Sequence, residues 1–165
     1  MEKVKIGPST HLHPKPAVLV GALVDEKPNF MTVSWCGIAS QEPPAISVAI
    51  RKIRHTLKGI REHGVFSVNV PGVDLARKVD FCGIYSGKEK DKSELFGVFY
   101  GESKTAPLVE ECPVNFECRV MHTLDLGSHF LVVGEILETY VFKDCLAGKS
   151  PDVEKIDPLI YASGT

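Results

Sequence analysis

No CxxC pair occurs in these 165 residues, and the five cysteines present, Cys36, Cys82, Cys112, Cys118 and Cys145, are odd in number. That excludes a zinc centre on closely spaced thiolates and leaves free, mostly buried thiols as the expectation. An excess of one charge is also missing: 19 Lys and Arg against 21 Asp and Glu give a formal charge of -2. No basic face dominates, so no nucleic-acid or membrane surface is expected. Apolar runs such as 17–24 and 130–134 fall far short of a roughly 20-residue membrane span. The N-terminal MEKVKIGPSTHLHPKP lacks the apolar core of a secretion signal, which makes a reducing cytoplasm the expected location. Neither GxxxxGK[ST], GxGxxG nor GxSxG is found, so a P-loop, a Rossmann fingerprint and a nucleophile elbow are excluded. Ser-His-Asp and Cys-His arrangements, and carboxylate pairs in a loop context, cannot be singled out either.

Repeats, low-complexity tracts and linker-like shifts are absent too, and the length suits one domain over 1–165 with a core of its own. What is present is a succession of β-branched and apolar runs between turn signals. AVLVGALV (17–24), FMTVSWCGIA (30–39), AISVAIR (45–51), VFSVNV (65–70), NFECRVMHTL (115–124) and HFLVVGEILETYVF (129–142) read as six strands. The last two are joined by a hairpin loop over Asp125–Ser128. Short helices fall between strands: Leu57–His63 capped by Thr56 and stopped by Gly64, Leu75–Phe81 capped by Asp74, and Lys92–Phe96 opened by Asp91 and Glu94. Strand and helix do not alternate regularly, so the expected fold class is mainly β, a small six-stranded antiparallel barrel with short helices, rather than a doubly wound parallel sheet.

Four stretches carry possible chemistry. In NFMTVSW, Thr32 and Ser34 share one face of an extended strand and Met31, Val33 and Trp35 the other. Hydroxyls with strand-edge amides suit a flat heteroaromatic ligand, and they equally suit a polar solvent face. In SVAIRKIRHT, a strand runs into Arg51, Lys52, Arg54 and His55 and then a helix start. Such a corner binds phosphate, or is a solvated basic turn. CGIYSGKEKDK offers Gly83, Ser86 and Gly87 for close approach, ringed by Lys88, Lys90 and Lys92. In LGSHF, His129 stands at the mouth of the last strand, the best-placed imidazole for polarising or protonating a bound ring.

Taken together, PKPAVLV, NFMTVSW, SQEPP before SVAIR, GVFSVN, CGIYSGKEKDK, APLVEECPVNFECRV and LGSHFLVVGEI resemble the flavin-reductase-like family with the FMN-binding split barrel, its flavoredoxin branch above all. The resemblance runs from about Pro14 to Tyr161. It implies a six-stranded Greek-key barrel and a homodimer with FMN between subunits. It also implies an oxidoreductase or electron carrier, with NAD(P)H as a possible donor and a redox protein as the other. Carried over by position, it places Asn29, Met31, Thr32, Val33, Ser34 and Trp35 along the isoalloxazine. It places Ala49, Ile50, Arg51, Lys52, His55 and Thr56 at the ribityl phosphate, and Asn69 near the flavin. Cys82, Gly83, Ser86, Gly87 and Lys92 fall on the loop closing over it, and His129 near the reacting face. Two features depart from the family pattern: Lys52-Ile53-Arg54 stands where Pro-Ser-Arg is usual, and the chain ends at YASGT where an aromatic, leucine-rich tail often follows. A split-barrel protein that only binds or stores FMN is the alternative.

Overall fold

The computed structural model describes residues 1–162. In chain order the elements are β1 (Lys15–Pro16), β2 (Val18–Val24), β3 (Lys27–Val33), β4 (Cys36–Gln41), β5 (Pro44–Arg51), α1 (Thr56–His63), β6 (Val65–Val70) and α2 (Ala76–Ile84). There follow β7 (Val98–Tyr100), β8 (Pro107–Val109), β9 (Val114–Asp125), β10 (His129–Val141), β11 (Leu146–Ala147), β12 (Ser150–Pro151), α3 (Val153–Ile156) and β13 (Ile160–Tyr161). The molecule is mainly β, as its β-branched runs imply.

The main sheet has seven strands in the order β3-β2-β6-β9-β10-β5-β4, not six, and among the described residues it does not close into a barrel. The seventh strand arises because NFMTVSWCGIA is not one strand. It breaks at Ser34–Trp35, where the Trp35 carbonyl turns aside to accept the Ala49 N–H at 2.9 Å. β3 and β4 therefore lie at opposite ends of the sheet although only two residues separate them. A sheet whose two ends are tied by so short a link must curl until they meet, yet β3 pairs only with β2 and β4 only with β5. The seam left between these ends is where the candidate site lies.

Alternation divides the interior in two. Val20, Ala22, Met31, Val48, Ile50, Phe66, Val68, Cys118 and Val132 pack inside the curl. Leu19 and Phe30, neighbours of opposite parity on β2 and β3, join Leu75, Val79, Cys82, Phe96 and Val109 in a second cluster under α2. This explains why every residue of β2 is buried: it has core on both faces. Each large side chain so buried contributes about 1.5–3 kcal/mol.

Three local expectations are revised. Thr56 is the first residue of α1 rather than its cap, and Asn29 donates to its hydroxyl; Gly64 ends the helix in the left-handed conformation as expected. Asp74 lies inside a short 3-10 turn (Val73–Leu75) that precedes α2, with no side-chain cap. Residues 92–96 are turn rather than helix, because the Lys92 ammonium is drawn into the protein and ties the segment to the Phe30 and Cys82 carbonyls at 3.0 and 3.2 Å. Among the described residues no helix is long and apolar enough to cross a membrane.

Candidate functional site

A cavity of about 570 Å³ opens at the seam, lined by Met31, Thr32, Val33, Ser34, Trp35, Ala49, Ile50, Arg51, Arg54, Ser128, His129 and Tyr161. Each wall has a structural origin. β3 is a terminal strand, so among the described residues its outer edge carries no strand partner, and unpaired edge amides are available to a ligand. β5 enters from the far end of the sheet and delivers Arg51 at its tip. A tight turn, closed by the Arg54 N–H on the Arg51 carbonyl at 3.0 Å, folds Arg54 back beside it. The β9–β10 hairpin brings His129 opposite Arg51 in register.

The side chains that face this space are short of partners. Ser34 makes no side-chain hydrogen bond among the described residues, whereas the Thr32 hydroxyl, expected beside it, is donated to the Val79 carbonyl on α2. Neither Arg51 nor Arg54 has an ion-pair partner among the described residues; Arg54 is anchored only by donating to the Gly83 carbonyl at 3.0 Å. Burial, then the adjacent Arg51 charge, lowers the pKa of Arg54. Two guanidinium groups held together without a carboxylate are what an anion site requires, since a bound anion relieves the repulsion. His129 is stacked on Trp35, ring centroids 4.8 Å apart at 26°, and its Nδ1 lies 2.8 Å from the Ser128 hydroxyl. Burial, then the Arg51 charge, pushes its pKa down, which favours the neutral ring. Lys15 sits over Trp35 and Tyr161 at 5.9 and 5.8 Å, tying the β1–β13 pair to the rim.

The residues singled out from the sequence separate into groups. Met31, Thr32, Val33, Ser34, Trp35, Ala49, Ile50, Arg51 and His129 converge on the cavity. Asn29, His55, Gly87 and Lys92 line a neighbouring recess of about 380 Å³. There Gly87 is required by close approach, since a Cβ would fall 2.2 Å from Asn29 Oδ1. Lys92 is 3% exposed with its pKa lowered by burial, its ammonium donating to two carbonyls. Lys52 turns outward to Asp125 at 2.7 Å. Thr56 is buried against Asn29, and the Ser86 hydroxyl accepts the Lys88 N–H within its own turn. Gly83, on α2, lies so that an added Cβ would meet Thr32 at 3.4 Å, and Cys82 is buried with its thiol pushed up to about 11. Asn69 lies in the interior, donating to the Leu19 carbonyl and Ser67 and accepting from Val109 and Asn115.

Arg54, Ser128 and Tyr161 line the cavity although the sequence reading did not select them. Arg54 was visible as part of a cationic run. Which member of that run points inward depends on the turn at 51–54, and a list of charges does not contain it. Among the described residues no His, Cys, Asp or Glu cluster could hold a metal. The thiols nearest the site stay protonated: burial pushes Cys36 up to about 12.

A family profile described as "Flavin reductase like domain" matches residues 10–165. The fold superimposes on flavoredoxin from Methanosarcina acetivorans with a TM-score of 0.95 and 40% sequence identity, covering 100% of this chain and 93% of that one. Flavoredoxin of Desulfovibrio vulgaris (Miyazaki F) gives 0.88 and 36%, over 98% and 88% of the two chains. A ferric-chelate reductase (NAD(P)H) of Archaeoglobus fulgidus is 33% identical over 108 residues, 64% of this chain and 63% of that protein.

Proposed function

The chain belongs to the flavin reductase-like family, its similarity to flavoredoxins being the strongest reported above, and from that premise we propose that it is an FMN-binding oxidoreductase whose cofactor occupies the seam cavity. One observation carries the reading. Arg51 and Arg54, without ion-pair partners among the described residues, line the same space as the Ser34 hydroxyl, likewise unpartnered among them, and the outer edge of β3. The donor set fits a phosphorylated tricyclic ring: guanidinium groups for the phosphate, and a hydroxyl with strand-edge amides for carbonyl and ring-nitrogen acceptors. The volume suits a ligand of that size.

A bound flavin supplies two-electron chemistry at its ring, accepting a hydride from a nicotinamide or electrons from a protein. The protein's own part is electrostatic. Arg51 and Arg54 hold the phosphate by charge-assisted bonds. The Ser34 hydroxyl and β3 amides orient the ring edge, and donors there favour a more electron-rich ring. His129, fixed against Trp35, offers a ring nitrogen to whatever lies in the cavity.

Trp35 is the single tryptophan of the chain and lines the cavity, so intrinsic fluorescence reports on it directly. Purified protein should be yellow, or become so with FMN while its fluorescence is quenched; protein that stays colourless with unchanged emission refutes the reading. Anaerobic mixing with NADH or NADPH then separates roles: rapid bleaching identifies a reductase, and bleaching only by a reduced protein identifies an electron carrier. We also propose a homodimer, for which the exposed β4 edge with Ile38 at 68% and the apolar hairpin tip (Met121, Leu124, Leu126) leave surface to cover. Light scattering at 18.1 kDa would contradict it.

A further inference from the structure

His129 has two ring nitrogens, and the structure accounts for only one of them. Nδ1 lies 2.8 Å from the Ser128 hydroxyl, while Nε2 has no partner among the described residues. The ring cannot pivot freely, because one face is stacked on Trp35 and its backbone is locked in the β10–β5 ladder opposite Arg51. The Ser128 backbone is itself fixed: its carbonyl accepts the Lys52 N–H at 3.3 Å, and it closes the turn in which the Gly127 N–H binds Asp125 at 2.9 Å.

We propose that Ser128 is a positioning residue that holds His129 as the Nε2–H tautomer, making the imidazole a hydrogen-bond donor to the cavity rather than a base. The hydrogen bond at one imidazole nitrogen decides where the single proton of the neutral ring resides. A hydroxyl donating to Nδ1 uses that lone pair and leaves the proton on Nε2, which is also the form a free histidine side chain prefers. Burial and the Arg51 charge disfavour a second proton on the ring, and in the neutral ring the two tautomers compete. Only the identity of the acceptor met by Nε2–H rests on the flavin reading. A donor placed there suits a ring that gains electron density on reduction, which a lone pair in the same position would oppose.

The test is ¹⁵N NMR of the His129 ring in the full chain, first without flavin and then with FMN. The expected wild-type result is a pyrrole-type nitrogen with a directly bonded proton at Nε2 and a pyridine-type nitrogen at Nδ1. Ser128→Ala should shift the tautomer balance, and Ser128→Thr, which keeps the hydroxyl, should restore it. In holoprotein, Ser128→Ala should slow flavin reduction about fivefold, the equivalent of one neutral hydrogen bond. A proton on Nδ1 in the wild type overturns the proposal, as does a tautomer balance indifferent to Ser128→Ala. Because the first readout needs no flavin, a protein that fails to bind FMN refutes the cofactor reading and leaves the tautomer result standing on its own.

Discussion

Two polar clusters share one curled sheet and are treated differently by it. On the β6–β9 side, Ser67, Asn69 and Glu117 are 0% exposed and Asn115 3%. Glu117 accepts the N–H groups of Glu102 and Ser103 at 2.9 and 2.6 Å and the Tyr140 hydroxyl at 3.3 Å. Asn69 uses both ends of its amide, and Asn115 reaches it and the Val109 carbonyl at 2.8 and 2.9 Å. Together they fasten the segment carrying β7 and β8, and Gly101 comes so near that a Cβ there would lie 2.2 Å from Glu117 Oε2. On the seam side, Ser34 and Arg51 have no side-chain partner and Arg54 a single carbonyl among the described residues. A buried polar group that is fully satisfied builds the fold, whereas donors left over in a cavity await something from outside.

That contrast can be broken at either cluster. The largest effect is expected at Glu117. Glu117→Ala strands two N–H groups and a hydroxyl and should lower stability by about 3–5 kcal/mol in urea unfolding while FMN affinity changes less than about twofold. Arg54→Ala should do the reverse, weakening FMN by about 1.5–3 kcal/mol with little loss of stability; Arg51→Ala should match it. Asn69→Ala should cost about 2 kcal/mol of stability and leave flavin binding intact. A loss of FMN affinity in Asn69→Ala comparable with Arg54→Ala would erase the distinction.

The smallest effect concerns pH. Hydrogen bonds from the 102–103 segment and Tyr140 outweigh burial and hold the Glu117 pKa below its ordinary value. Its contribution is therefore present above the unfolded-state pKa and lost as pH falls through the lower folded-state one. Glu117→Gln should flatten the acid limb of the stability profile; an unchanged limb would assign acid sensitivity elsewhere.

Much of the fold was readable because strand identity is a local property. VLVGALV, VFSVNV and the long pair around Asp125–Ser128 appear where β-branched runs and turn residues put them. The break at Ser34–Trp35 was not, because composition runs unchanged across it and its cause is Ala49, fourteen residues on. Long-range partners also decided the site residues. The Thr32 hydroxyl is taken by a carbonyl 47 residues away, and the Lys92 ammonium by one 62 residues away. Asn69 and Ser34 look alike in sequence, each a polar residue among apolar strand neighbours. Only the tertiary fold gives one of them four hydrogen-bond partners and the other, among the described residues, none.

Titration calorimetry of FMN against riboflavin tests the anion corner most directly, since the two ligands differ only in the phosphate. Wild-type protein should prefer FMN by at least about tenfold, or about 1.4 kcal/mol, and the preference should vanish in the Arg51→Ala/Arg54→Ala double variant. Equal affinity for the two ligands in the wild type, or a preference that survives the double variant, would contradict the account.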